Sequence, residues 1–164
     1  KMQKICEEVL KRDLPVTLIP ICGKNQKLYE YFKTLKSKGK TDFRPQPFVS
    51  RIFEILASAD LFCGKSGAGM IAEPCFFGVP QIITKYATKI ERLIGRYYID
   101  SVNSAIKIFN PVKVADKIEE FSSSPALLEP YRNNALKQRS NYGPEKAARL
   151  TFELLCTRFP YLKD

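Results

Sequence analysis

The sequence predicts an α/β fold, doubly wound around a mostly parallel sheet of about five strands, the Rossmann-like arrangement. Three observations lead there. Five short apolar runs of strand length alternate with segments whose apolar residues recur at helical spacing. The run over residues 15–22 is almost continuously apolar, as a strand covered on both faces should be. The turns at Gly23, Phe48, Ser66 and Lys85 follow four of the runs and so fall on one carboxyl edge, where open α/β sheets bind their ligands.

Residues 1–12 read as a helix with Met2, Ile5, Cys6 and Val9 on one face. It lacks a capping residue, and α/β helices are normally entered from a strand, so the natural protein is expected to continue before Lys1. The strand over 15–22 turns at Gly23 into a helix over 26–37, where Leu28, Tyr31, Phe32 and Leu35 are in period. A strand over 41–48 is weakened by Pro45 and Pro47. A helix over 49–59 feeds the short run 61–63, after which glycines turn the chain and a helix starts near Met70. Pro74 must kink or shorten that helix. Beyond Gly78 come a strand over 81–84, a helix over 88–98, a strand over 104–109 and a helix over 112–121 opened by Asn110-Pro111. Two more helices, about 126–139 and 144–159, close the chain.

Composition narrows the chemistry. With 164 residues, 45% of them hydrophobic, residues 1–164 suit one domain with its own core. There is no histidine, which removes Ser-His and Cys-His catalysis and histidine-bound metal. Five scattered cysteines without CxxC spacing point to neither zinc nor a disulfide framework, and a reducing, cytoplasmic setting fits them. No apolar run approaches the ~20 residues of a membrane span. The net charge of +10 favours polyanions, and the basic residues gather in 24–40 and 132–149. A nucleic-acid module is the rival reading. The sequence speaks against it, because the aromatic residues follow core periodicity and no RNP or KH signature is present.

The stretch 59–73 organises the rest. A strand, a glycine turn and a helix in succession are the setting in which free backbone N–H groups receive a phosphate. Ser66 is a good N-cap, and its hydroxyl can serve the helix or an anion. Gly67 and Gly69 allow close approach to the backbone, and Lys65 adds a point charge. Glu73, about two turns on, can accept both hydroxyls of a ribose. The Walker A glycine is missing, since Ala59 stands in its place, and Gly64-x-x-Gly67-x-Gly69 has the wrong order for a dinucleotide fingerprint. On spacing alone, a βα turn that uses glycine only for geometry remains open.

Four segments carry a resemblance: Cys22-Gly23-Lys24-Asn25 with Leu28; Pro47-Phe48-Val49; Ala59-Asp60 with Lys65-Ser66-Gly67; and Glu73 with Gly78-Val79-Pro80. In this order, over about residues 15–121, the chain resembles the C-terminal domain of GT-B glycosyltransferases. It is similar to the group of monogalactosyldiacylglycerol synthases, diacylglycerol glucosyltransferases and the N-acetylglucosaminyltransferases of the peptidoglycan lipid precursor. The resemblance implies UDP-sugar as donor substrate and an inverting transfer to a lipid acceptor, and no cofactor or metal is expected. With a lipid acceptor, the basic faces add the expectation of peripheral association with an anionic membrane surface. Phe48 and Val49 would sit at the uracil and Gly23 near the base-binding edge. Lys65, Ser66, Gly67 and Ala68 would hold the diphosphate, Glu73 the ribose, and Glu91 would stand for the donor-sugar Glu. The acceptor site and catalytic base would lie on an N-terminal domain, leaving no catalytic residue in this chain, which alone would be inactive. The likeness departs at Met70, where the family has Thr, at Pro74 inside a helix, and in 86–92, which lacks the family's Gln. These departures keep a catalytically inactive, nucleotide-binding relative as the alternative.

Overall fold

The computed structural model describes residues 1–139 and 143–163, so three residues of the second basic stretch (140–142) lie outside the described residues. The order of elements is α1 (Met2–Arg12), β1 (Thr17–Leu18), α2 (Gln26–Thr34), β2 (Asp42–Phe43), α3 (Ile52–Ala57), β3 (Phe62–Lys65), α4 (Ala68–Phe76), β4 (Gln81–Lys85), α5 (Lys89–Arg96), β5 (Ala105–Lys107), α6 (Pro111–Ser123), α7 (Glu129–Lys137) and α8 (Pro144–Arg158). A π-helical turn, Tyr97–Ser101, prolongs α5. Side-chain oxygens cap three helices where the sequence offers them: Asn25 for α2, Thr88 for α5 and Asn110 for α6, with Pro111 opening the last.

Strand pairing is parallel throughout, as predicted: β1 with β2, and β4 between β3 and β5. The expectation of one sheet of about five strands needs correction. The strands form a pair and a triplet, and most are shorter than the apolar runs that contain them. Prolines explain the short pair. Val16, Leu18 and Pro20 each accept a β2 N–H, from Asp42, Arg44 and Gln46 in turn, but Pro20 has no N–H to return. Past it the ladder survives as a single bridge between Ile21 and Gln46. Pro45 and Pro47 alternate with the residues of β2 that bond to β1, so their missing N–H groups face the outer edge.

Strand β4 runs through the middle of the core. Ile82 points to one face, where Ile5 and Val9 of α1 and Val114, Ala115 and Ile118 of α6 close over it. Ile83 points to the other, against Ile71 and Cys75 of α4, Tyr98 of the π turn and Ala135 of α7. This alternation across one strand is the double winding. Gln81, buried in the same strand, donates through Nε2 to the Ile71 carbonyl at 2.9 Å and ties α4 to the sheet. A third cluster, Cys6, Cys22 and Phe32, seats α1 and α2 on the β1–β2 pair. All five cysteines are free, and burial pushes the Cys6 thiol up to about 12, so it is an inert core group.

Helix α4 stops at Phe76, two residues past Pro74, and Gly78 takes φ 75° to turn the chain into β4. A Cβ at Gly78 would stand 2.7 Å from Cδ2 of Leu136 on α7. Gly78→Ala therefore combines left-handed strain with a clash, and is expected to lower stability by about 1–3 kcal/mol. Thermal melting would register this as roughly 2–4 °C per kcal/mol. Adding Leu136→Ala to Gly78→Ala should recover only the steric part. A melting temperature unchanged by Gly78→Ala would disprove the account.

Candidate functional site

Strand β3 meets β4 in register from Phe62 to Gly64, then slips by one residue so that Lys65 pairs with Lys85. Ser66 follows, fully buried, and its amide reaches the Lys85 carbonyl at 3.4 Å. The sequence made Ser66 the N-cap of the next helix, and the structure assigns that place to Gly67, with no side-chain cap. The Ser66 hydroxyl instead donates to the Glu91 carbonyl of α5 at 2.8 Å. A buried hydroxyl needs a partner, and α5 passes close enough to supply one. The first amides of α4, from Ala68 onward, are thus left without a side chain to accept from them.

Glu73 is the sixth residue of α4 and is half-buried. Its carboxylate reaches back one turn over Gly69: a Cβ there would stand 3.2 Å from Oε1. Among the described residues no hydrogen bond or ion pair engages that carboxylate. Glycine at position 69 keeps the space beside it open.

Glu91 does several things at once. Its amide donates to the Thr88 hydroxyl at 3.1 Å, while its carboxylate accepts from the Ala87 amide at 2.6 Å. This is the reciprocal logic of a capping box at the start of α5, with the return bond taken by Ala87. The same carboxylate lies 3.3 Å from Nζ of Lys65. The Ala87 bond first, then Lys65, hold its pKa below the ordinary carboxylate range. Gly67 lies beside this pair, since a Cβ there would be 3.8 Å from both Oε1 of Glu91 and Nζ of Lys65.

Lys65, Ser66, Gly67 and Glu91 thus form one contact group, and Glu73 stands one helical turn along from Gly69. Gly23, Phe48 and Val49 belong to the neighbouring β1–β2 pair. Gly23 takes φ 59° directly after Cys22, whose amide bonds the Gln46 carbonyl. Phe48 is 65% exposed and Val49 half-buried, two residues further along the same edge. Both sets lie at carboxyl ends of parallel strands, and no hydrogen bond joins one set to the other among the described residues.

One residue that matters here went unnoticed in the sequence. Gly95 lies buried inside α5, and a Cβ on it would stand 2.7 Å from the Tyr86 ring and 3.1 Å from the Ser66 hydroxyl. The available signal was a glycine in a helix interior, which costs about 1 kcal/mol and so needs a packing reason. A shallow depression of about 480 Å³ lies beyond β5 instead of at the Ser66 turn, lined in part by Lys107, Phe109, Asn110, Lys113 and Lys117. Among the described residues, no helix is long and apolar enough to cross a membrane.

The chain is 23% identical to the processive diacylglycerol beta-glucosyltransferase of Bacillus subtilis over 133 residues, 81% of this chain and 34% of that protein. It is 30% identical, over 51% of its length and 22% of the other's, to a Sorangium cellulosum enzyme. That enzyme is named as transferring N-acetylglucosamine from its UDP form to N-acetylmuramyl-(pentapeptide) pyrophosphoryl-undecaprenol. Spinach chloroplast monogalactosyldiacylglycerol synthase is 29% identical over 73% of this chain and 23% of its own. The chain therefore spans about a quarter to a third of the relatives it matches. In fold it superposes on the glycotransferase of kitacinnamycin with a TM-score of 0.63, at 20% identity over 92% of this chain and 38% of that one. It superposes on WaaG, a glycosyltransferase of lipopolysaccharide biosynthesis, with a TM-score of 0.61, at 20% identity over 90% and 42%. Both are GT-B neighbours. Residues 2–95, which hold every candidate site residue from Gly23 to Glu91, match the glycosyltransferase family 28 C-terminal domain, and the chain belongs to that family.

Proposed function

We propose that this chain is the donor-nucleotide half of an inverting glycosyltransferase that takes a UDP-sugar and serves a lipid acceptor. The acceptor site and catalytic base would lie on an N-terminal domain, and the enzyme would work peripherally at a cytoplasmic membrane face. The observation that carries the reading is the Glu73 carboxylate, half-buried, unpartnered among the described residues, and held over the Gly69 turn that opens α4. A ribose whose diphosphate met the first α4 amides would bring its hydroxyls within reach of such a group. Lys65 adds a cation beside the turn, and Phe48 and Val49 offer an apolar ledge for the base. The names of two relatives support a lipid acceptor, since they specify diacylglycerol and an undecaprenol-linked substrate.

In this reading the chain binds and orients the donor and stabilises negative charge on the departing nucleotide, without a cofactor. The base that activates the acceptor comes from elsewhere, in keeping with a sequence that has no histidine. A second reading, a nucleotide-binding relative without turnover, is favoured by one observation. Glu91, the residue at the donor-sugar position, is engaged by Ala87 and Lys65. Assay of the full-length protein for UDP-sugar turnover separates the two.

Calorimetry with UDP tests the site directly. Glu73→Ala should weaken binding about tenfold or more, because ~1.4 kcal/mol is one decade and each charge-assisted bond contributes about 1.5–3 kcal/mol. Ser66→Ala should cost less, and a short oligonucleotide should not compete. If Glu73→Ala lowered the melting temperature while leaving UDP affinity intact, the ribose role would be abandoned. That outcome would be hard to explain by the helix dipole, which fades beyond the first turn and so misses the sixth residue of α4.

Glu91 makes a different prediction, because its carboxylate caps α5. A folded-state pKa below the unfolded value means that the unfolded chain binds more protons, so its contribution is present above the unfolded carboxylate value. The contribution is then lost as pH falls through the folded value. Glu91→Ala should lower the melting temperature most near neutrality, and the gap from the parent protein should narrow in acid. Turnover should suffer more than UDP affinity. A gap independent of pH would contradict the capping assignment.

A further inference from the structure

The outer face of α5 takes no part in the site just described. Its inner side holds Gly95 against Ser66 and sends Ile94 and, through the π turn, Tyr98 into the core. Opposite lie Ile90 and Leu93, 69% and 67% exposed, with Tyr97, 49% exposed, one turn beyond. Their spacing of three and four residues makes a continuous apolar ridge. Lys89, Arg92 and Arg96, exposed and at the same spacing, run alongside it. Of the nearby acids, Glu91 turns inward to Lys65 and Ala87, and Asp100 pairs with Arg96 at 3.4 Å. The ridge is therefore bordered by positive charge.

We propose that this face of α5 docks on an anionic lipid surface, with Ile90, Leu93 and Tyr97 entering the headgroup boundary and Lys89, Arg92 and Arg96 lying among the headgroups. Two aliphatic side chains of this size, two-thirds exposed and adjacent, leave an apolar strip in water that a bilayer boundary would remove. The row of cations matches the charge of an anionic leaflet and draws the helix to it. A nucleic acid would use the cations but has no use for an isoleucine–leucine ridge, since bases stack on aromatic planes. The Ser66–Glu91 bond joins the inner side of α5 directly to the site turn, so a docked α5 would hold the donor turn near the bilayer. The proposal rests on the lipid-acceptor reading above and names the surface that serves it.

Vesicle sedimentation of the intact protein tests it, using phosphatidylcholine alone and phosphatidylcholine with about a third phosphatidylglycerol. The parent protein should pellet with the anionic vesicles and be released by salt. The double variant Ile90→Ser/Leu93→Ser should bind these vesicles about tenfold or more weakly, and Lys89→Glu/Arg92→Glu should lose the preference for anionic lipid. Both variants alter exposed positions, so UDP affinity measured without lipid should be unchanged, which separates lost docking from lost folding. Equal sedimentation of parent and Ile90→Ser/Leu93→Ser, or equal pelleting on neutral and anionic vesicles, would overturn the proposal. So would a change of oligomeric state in that variant with vesicle binding intact, which would assign the ridge to a second copy of the chain. Failure of the parent protein to bind UDP would overturn the nucleotide reading, and the vesicle comparison would still decide the docking face.

Discussion

The hydrogen bond from the Ser66 hydroxyl to the Glu91 carbonyl sets the geometry of the β3–α4 turn. Ser66 is fully buried, so its hydroxyl must be satisfied inside the protein, and such a bond contributes about 1 kcal/mol net while its loss leaves an unpaired buried group. It forms because α5 lies against the turn, and α5 can lie there only because residue 95 has no Cβ. Once α5 is fixed, Thr88 and Glu91 cap its start, and the Glu91 carboxylate arrives beside Lys65. A serine, a glycine and a glutamate thus set where the Lys65 cation is held beside the turn. None of them needs to touch a ligand to do so.

The sheet supplies the other constraint. Parallel strands align their carboxyl ends, so every loop that leaves them emerges on one edge. The β3–β4–β5 triplet does this firmly, since β4 is covered on both faces and β3 and β5 pair with it in register up to the slip at Lys65. The β1–β2 pair is looser in construction, with its ladder interrupted at Pro20 and its outer strand carrying Pro45 and Pro47. Gly23, Phe48 and Val49 therefore sit on the less regular half of the edge, and Lys65 to Glu73 on the more regular half. In the proposed function this division places the diphosphate and ribose on the more regular part and leaves base recognition to the prolines' side.

Much of this was legible in the sequence because local signals and tertiary packing agreed. The alternation of apolar runs gave parallel winding, Asn25 and Asn110 capped the helices they precede, and Gly78 turned the chain out of α4. What was misread shares a physical cause. Ser66 looked like an N-cap because capping is a local rule, while its true partner lies 25 residues away on another helix. The part Glu91 plays in starting α5 was not read at all. Its bonds to Ala87 and Lys65 depend partly on where α5 comes to rest. Gly95 was passed over because a helix wheel records faces but not how closely the next layer approaches. The split of the sheet follows the same rule: each proline was visible, but which side of the strand its missing N–H faced was not.

The Lys65–Glu91 pair bears on how such a turn can hold an anion. Lys65 is about half exposed and the contact is long, at 3.3 Å, so water screens the pair and it contributes little to stability. The Ala87 amide, at 2.6 Å, is the shorter partner of Glu91, and it does not depend on Lys65. A dianion at the α4 amides would offer Lys65 more charge than one already satisfied carboxylate does. In the proposed function Lys65 would swing to it without uncapping α5, and Glu91 would keep the bond that holds its helix. The carboxylate restrains a long, flexible side chain beside the turn. That restraint reduces the ordering entropy lost when an anion binds. A pair too weak to stabilise the fold is thus well suited to keep the cation in place and still release it.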